Sequence, residues 1–531
     1  MRSGSHSLQQ LRRLQLNRVY DIAVVGSGFA GSLMAMIARR LGLSVVLLER
    51  GSHPRFMIGE SSTPLSNLLL EDLAIRYDLP AIKPLAKWGS WQQHYPEIAC
   101  GLKRGFTFYH HVLGQTDAQD PEHRNQLLVA ASPHDRIADT HWFRADFDAF
   151  LVGQAQGLGV DYIDEIRLDT LVTYDDHVAL EVWKDGQCVS FRAKFVVDAT
   201  GPRGVLHHAL RLPKAKFRDY PSTQALYTHF SNVKRLDQIE HSLEIPPYPV
   251  DDAAVHHIFD GGWIWVLRFN NGVTSAGAVA MEKTAAELRL EQGAAAWERL
   301  IGLMPTLREQ FSEAKTERPF THVQYLPFLS GGVSGDRWAL LPSAAGFVDP
   351  LLSTGFPLTL LGISRLADIL ERDWNSPCFE ARLQRYAAQT SDELHATSRL
   401  IASLYANMNR FPVFAALSLL YFAAASFSET ARRLSKPQLT PSFLLHDHPI
   451  FGPACRRLLE QARHLSTEQD SADLIADVLR VIEPLDVAGL CRQDRHNWYP
   501  VDAEDLFRSA SKVDATRDEI AQLLQRCGFY P

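Results

Sequence analysis

VYDIAVVGSGFAGSLMAMIARRLGLSVVLLE, residues 19–49, is the stretch that decides the fold. Val19–Val25 is an apolar run of strand length. Gly26-Ser27-Gly28-Phe29-Ala30-Gly31 follows it directly, then a helical pattern over Ser32–Leu41 and a second apolar strand over Ser44–Leu48 ending at Glu49. The order strand, glycine turn, helix, strand, acid is a dinucleotide-binding βαβ unit, with the acid 18 positions past the third glycine. Gly26 and Gly28 allow the tight turn and a close backbone approach to a pyrophosphate. Gly31 lets the helix pack on its strand. The helix N-terminus at Phe29 and Ala30 offers unpaired N–H groups to the anion, and Glu49 is placed for a ribose.

Outward from this unit the pattern stays α/β. Ser66–Tyr77 reads as a helix, Gly101–His111 as one strand, Arg144–Gln156 as an amphipathic helix stopped by Gly157, and Lys194–Asp198 as a strand leading into Ala199-Thr200-Gly201. From about 220 to 325, short strands separated by Asn-Gly and Gly-Gly turns predict an antiparallel sheet. Trp338–Pro342 reads as a strand and Gly355–Trp374 as a helix. From Cys378 to Pro531 the pattern is helical, broken at Ser435-Lys436-Pro437. Three regions result: an extension over 1–18, a core over 19–375 and a helical region over 376–531.

Composition narrows the function classes. The 531 residues are 46% apolar and 22% charged, with net charge −7, which does not suggest nucleic acid. Six scattered cysteines form no C-x-x-C pair, so neither a zinc site nor a disulfide framework is expected, and a reducing cytoplasm is the default. The extension lacks the apolar core of a signal peptide. Phe411–Ser428 carries no charge but holds Pro412, Ser418 and Ser426. It reads as a buried or cleft-lining helix rather than a bilayer span.

Four further segments carry chemistry. Trp263-Ile264-Trp265 puts two indoles on one strand face. Gly59-Glu60-Ser61 with Pro64 is a short loop motif. In Gly101-Leu102-Lys103-Arg104-Gly105-Phe106, strand alternation puts Lys103 between two glycines, with room around its ammonium, and turns Arg104 and Phe106 to the other face. Ser353-Thr354-Gly355 opens a helix and can present N–H groups to an anion.

With the dinucleotide unit, these segments resemble the flavin-dependent halogenases over roughly 19–375. The family's W-x-W-x-I-P appears here as W-I-W-V-L-R, with Leu267-Arg268 in place of Ile-Pro. The Lys103 segment is similar to the branch acting on phloroglucinol. The resemblance implies an FAD-binding, glutathione-reductase-like Rossmann domain, an inserted antiparallel substrate sheet and a C-terminal helical region covering the substrate chamber. It implies cofactor contacts at Gly26, Gly28, Phe29, Ala30, Gly31, Glu49, Gly59, Glu60, Ser61 and Arg144. Asp349 substitutes for the absent ribityl-binding aspartate. Halide is implied at Ser353, Thr354 and Gly355, a passage walled by Trp263 and Trp265, a pocket wall at Phe106, and Lys103 as the catalytic residue.

The implied activity uses reduced FAD, O2 and chloride or bromide to make hypohalous acid. Lys103 holds that acid by a hydrogen bond or becomes a haloamine. Tryptophan halogenases place a glutamate immediately before Ser-Thr-Gly; here it is Leu352. A small phenolic substrate, which needs less activation, is therefore expected. A separate flavin reductase is the implied partner, and a homodimer and a carrier-bound substrate stay open. The rival readings are an FAD-dependent hydroxylase or oxidase and a flavin-binding protein with decayed activity.

Overall fold

The computed structural model describes residues 18–116, 120, 122–202, 204–239 and 244–530. The expected extension therefore lies, apart from Arg18, outside the described residues.

Two sheets organise the core. The first has eight strands. Its parallel spine runs Trp338–Leu340, Gln187–Asp198, Val19–Val25, Val45–Leu48, Asp161–Ile163. The central strands are apolar without alternation. Ile22, Ala23, Val24 and Val25 are all buried, as a parallel sheet covered on both faces demands. Helix Phe29–Arg40 covers one face, with Phe29 to Ala38 continuously buried. An antiparallel hairpin, Arg167–Thr173 with Val178–Lys184, extends from the long Gln187–Asp198 strand.

The second sheet has nine strands and differs from the expected 220–325 unit. Its middle, Thr223–Ser231, Thr274–Met281, Gly262–Arg268 and Ala254–Phe259, is antiparallel as expected. It then continues into Gly105–His110, paired parallel with Ala254–Phe259, into Gln126–Ala130, and ends on Trp498–Tyr499, also parallel. Local turn signals cannot disclose these pairings, because they join segments far apart in sequence.

The single strand expected over Gly101–His111 is two. Cys100–Lys103 pairs with Asp139–Trp142, and Gly105–His110 belongs to the nine-stranded sheet. Arg104 is the hinge. Its N–H donates to Asp252 O and its carbonyl accepts from Ala131 N.

The C-terminal region is helical, as expected, apart from Trp498–Tyr499. Phe411–Arg433 is the one helix among the described residues long and apolar enough to cross a membrane; 83% of its most apolar window is buried within the protein. It packs as a core helix. Its Phe414 and Phe422 lie against Phe108, and Phe422 also lies against Phe106.

Candidate active site

The glycine turn has the shape its sequence predicts. A Cβ on Gly31 would lie 1.8 Å from Gly26 O, and one on Gly26 would lie 2.7 Å from Ala199 O. Gly28 is different. Its nearest neighbours are side-chain ends, Arg144 Nη2 at 3.3 Å, its ion-pair partner Asp148 Oδ2 at 3.6 Å and Arg55 Nη2 at 3.8 Å from an added Cβ. A backbone edge flanked by two guanidiniums, at the start of a 12-residue helix with no side-chain cap, fits a diphosphate. Glu49 Oε2 accepts from Ser27 N at 2.8 Å and from Arg55 at 3.3 Å. Burial pushes its pKa up, but Arg55 and the Ser27 and Gly51 donors bring it below the usual range. The residues present thus fit FAD.

Arg144 joins this turn to the loop motif. It forms a two-point pair with Asp148, sits 5.2 Å from the Phe29 ring centre, and donates to Ile58 O and Gly59 O. Beyond Gly59 the strap pairs with the Asp139–Trp142 strand: Trp142 N donates to Glu60 O, Ser61 bridges His141, and Ser62 N donates to Thr140 O. The side chain of Glu60 is turned away from a free cofactor-facing position. Its buried carboxylate instead meets His229 Nε2 at 2.8 Å, tying the strap to the substrate sheet.

The Ser353–Gly355 turn lies beside the same cofactor site. Phe356 packs on Phe29 at 5.0 Å and on Trp142 at 4.5 Å. Leu352 and Ser353 both hold left-handed backbone, φ 63° and 54°. Two consecutive residues of this kind cost of order 1–3 kcal/mol each, as functional turns do. Thr354 is buried, while Gly355 is exposed at the start of a 19-residue helix whose first N–H groups lack helical partners. Asp349 does not offer a free carboxylate to a ribityl chain, contrary to expectation. One oxygen accepts from Leu351 N and the other from Tyr405 OH, both at 2.9 Å. Burial pushes its pKa up to about 7.

Trp263 and Trp265 stand 5.8 Å apart on one face. Trp263 Nε1 donates to Tyr405 OH, extending the Asp349 cluster. Strand register sets Tyr227, Gly277, Trp265, His256 and Phe108 in one transverse row across five strands. Gly277 is required: a Cβ would lie 2.5 Å from the Trp265 ring. The aromatic face thereby runs from Tyr227 to His256, which stacks on Phe108 at 4.6 Å and near Phe106 at 5.9 Å.

Lys103 stands at the end of this row, fully buried. Its Nζ donates to Ser61 Oγ at 2.8 Å and Ser62 O at 2.5 Å, and lies 3.8 Å from the centre of the Phe106 ring. The expected space between glycines is not there. A Cβ on Gly101 would meet Arg268 O at 2.0 Å, and one on Gly105 would meet Tyr248 at 2.8 Å. The glycines admit neighbouring backbone and ring, not substrate. Because Arg104 breaks the strand, Lys103 and Phe106 also meet rather than facing apart. Arg104 itself donates to Asp135 and Ser132 O and takes no part in the Lys103 cluster. Burial pushes the Lys103 pKa well down, opposed by Asp139. His256 is pushed to about 3, by burial first and the Lys103 ammonium second.

Arg268, the departure from the family motif, has a structural task. Its guanidinium donates to Asp251, Val233 O and Lys234 O, and its carbonyl fills the space at Gly101.

Asp139 is a site residue that no sequence signal marks. It is the cross-strand partner of Lys103. It lines a cavity of about 190 Å³ with Phe106, Tyr421 and Phe422, to whose wall Tyr499 and Phe529 of the C-terminal region also contribute. No spacing in the sequence links positions 103 and 139; only the pairing of two four-residue strands does.

A tryptophan halogenase family model matches residues 139–412, a little over half of the chain, and a NAD(P)-binding Rossmann-like model matches 24–78. Monodechloroaminopyrrolnitrin halogenase PrnC of Pseudomonas fluorescens is 30% identical over 70% of this chain and 66% of its own length. Tetracycline 7-halogenase of Kitasatospora aureofaciens is 30% identical over 66% of this chain and 63% of its own. The chain thus matches just under two thirds of these relatives. Halogenase PltM, solved with phloroglucinol and FAD, shares the fold at TM-score 0.77 and 23% identity, over 90% of this chain and 99% of that one. With the glycine turn, the strap and the Trp pair all in place, the chain belongs to the tryptophan halogenase family of flavin-dependent halogenases.

Proposed function

We propose that this protein is an FADH2-dependent halogenase that makes hypohalous acid from O2 and chloride or bromide, and passes the halogen through Lys103 to a small phenolic arene. The observation that carries the reading is the strap. Gly59 O is bonded to Arg144 beside the glycine turn, and Ser61 and Ser62 are bonded to Lys103. Two or three extended residues span roughly 7–10 Å, so cofactor side and amine are close but separate.

FAD, when bound, supplies the two-electron activation of O2 that oxidises halide. The chain's own residues do the rest. Gly26 to Gly31, Arg55 and Arg144 would hold the diphosphate, Glu49 the ribose, and the Gly355 turn the halide. Trp263 and Trp265 would exclude bulk water from the passage. Lys103, held against Ser61, would donate a hydrogen bond to the oxygen of hypohalous acid and offset charge developing there. Phe106 would pack against the arene. Leu352, where tryptophan halogenases carry a glutamate, and the PltM complex with phloroglucinol support a phenolic substrate over tryptophan. A separate reductase would supply FADH2 in a reducing cytoplasm.

The test is product analysis with a flavin reductase, a panel of phenols and tryptophan, with and without bromide. Brominated phenol formed only with bromide is expected. Hydroxylated product independent of halide would overturn the reading in favour of a hydroxylase. A higher kcat/KM for tryptophan than for resorcinol would overturn the substrate class alone.

A further inference from the structure

We propose that Asp139 is a second catalytic residue, the base that accepts the substrate's hydroxyl proton and so fixes which ring carbon faces Lys103. The inference rests on the halogenase reading and specifies its substrate end.

Three observations carry it. Asp139 is buried and lines the cavity that Phe106, Tyr421 and Phe422 enclose. Its Oδ1 is fixed by Asn67 Nδ2 at 2.7 Å, while its Oδ2 is buried with no hydrogen-bond partner. Its cross-strand neighbour Lys103 bonds Ser61 and Ser62, and not this carboxylate. A buried carboxylate oxygen with no donor is costly, and on the wall of a cavity a bound donor or a catalytic role accounts for keeping it. A phenol is the matching ligand: a flat apolar ring for Phe106 and Phe422, and one O–H donor for Oδ2. An arene without a donor would leave the oxygen orphaned, which is the stronger kind of discrimination.

The groups facing Asp139 set its basicity. Burial raises its pKa most; Lys103 opposes this, Glu429 adds to it, and Asn67 and Arg433 oppose it. A carboxylate displaced toward neutrality is a better base for a phenol than an exposed aspartate.

In the transfer step, the ring's π pair forms the carbon–halogen bond as the HO–X bond breaks, so the ring is oxidised and the halogen reduced. The departing hydroxide takes a proton from the Lys103 ammonium and leaves as water. Asp139 takes the hydroxyl proton, leaving a halogenated dienone. Its ring C–H proton passes to the Lys103 amine, and its oxygen regains the proton from Asp139, restoring the phenol and both side chains.

The experiment compares resorcinol with its dimethyl ether, using reductase-fed FADH2 and bromide, in wild type and Asp139→Asn. Bound FAD and reduced-flavin oxidation are measured alongside as readouts of the intact cofactor end. In wild type, resorcinol should be strongly preferred. In Asp139→Asn, kcat/KM for resorcinol should fall about 100-fold, while the dimethyl ether changes less than about threefold. Asp139→Glu, which keeps the carboxylate one methylene displaced, is the second arm should Asp139→Asn not fold; it should lower resorcinol about tenfold and again spare the ether. Equal falls for both arenes would overturn the inference, since a residue acting only by positioning Lys103 cannot tell them apart. An unchanged resorcinol rate would overturn it too. No brominated product from wild type on either arene would sink the halogenase reading and this inference together.

Discussion

The cofactor end and the chamber end of this molecule are built by opposite means. At the cofactor end, one continuous segment, residues 19–49, makes the turn, the helix start and the acid, and backbone does most of the contacting. At the chamber end, Asp139, Tyr421 and Tyr499 arrive from three distant segments to line one cavity, and Lys103 joins them only as the cross-strand partner of Asp139. The first depends on the absence of side chains, the second on their presence. Substitutions should therefore fail differently at the two ends.

The largest effect is expected from Gly31→Ala. Its Cβ would sit 1.8 Å from Gly26 O and 3.1 Å from the Ala199 Cβ, with backbone on the nearest side. Neither neighbour can move without opening the turn, so a cost above ~4 kcal/mol is expected. FAD content and the melting midpoint of the purified variant check this. Wild-type FAD content would break the claim that backbone shape makes this end.

Next is Lys103→Ala. Product should fall about 1,000-fold or more, while FAD binding and reduced-flavin oxidation remain. Arg104→Ala, which removes a largely buried side chain paired with Asp135 and Ser132 O rather than with Lys103's partners, should keep near-normal turnover. If both variants lost product equally, the chamber would depend on the bend at Arg104 rather than on the amine.

A smaller, graded effect is expected from pH. Burial lowers Lys103 and raises Asp139, and His141 and His256 beside Lys103 are held neutral by burial first. If Lys103 acts as ammonium and Asp139 as carboxylate, kcat/KM rises as Asp139 ionises and falls as Lys103 loses its proton. That gives a bell whose limbs approach tenfold per pH unit. Asp139→Asn should remove the acid limb only. A rate that keeps rising with pH would favour the haloamine route through neutral Lys103.

How far these ends can be read from sequence follows from the same contrast. Gly26, Gly28, Gly31 and Glu49 are legible because a βαβ unit is local: fixed spacing maps to fixed geometry. Helix Arg144–Gly157 and the Trp263–Trp265 face are legible from periodicity. Alternation places Lys103 and Phe106 on opposite faces because it presumes an unbroken strand. The break comes from Asp252 and Ala131, which claim the Arg104 backbone from elsewhere in the fold. Glu60 and Asp349 illustrate another limit. An acid near a cofactor motif invites a cofactor role, yet His229 and Tyr405, 169 and 56 residues away, engage them.

The smallest effect, and the one that probes the seam between the two ends, is Tyr405→Phe. The Tyr405 hydroxyl donates to Asp349 Oδ2 at 2.9 Å and accepts from Trp263 Nε1 at 3.1 Å. It thus ties the Ser353–Gly355 turn to the Trp face. Asp349 has a folded pKa pushed up to about 7 from an ordinary value of 3.8, by burial first, with the Leu351 N–H and Tyr405 pulling the other way. The native state therefore binds more protons than the unfolded state between those values, and stability falls as pH rises through that window. At pH 5 the carboxyl is largely protonated, and losing Tyr405 removes an ordinary hydrogen bond of about 1 kcal/mol. At pH 8 the carboxylate is charged, and the same loss removes a charge-assisted bond of about 2 kcal/mol. Melting midpoints of wild type and Tyr405→Phe at both pH values measure this. The gap between them should be wider at pH 8. An equal or narrower gap at pH 8 would mean that Asp349 is not ionised by this hydroxyl's support, and that the seam is held by packing of Trp263 alone.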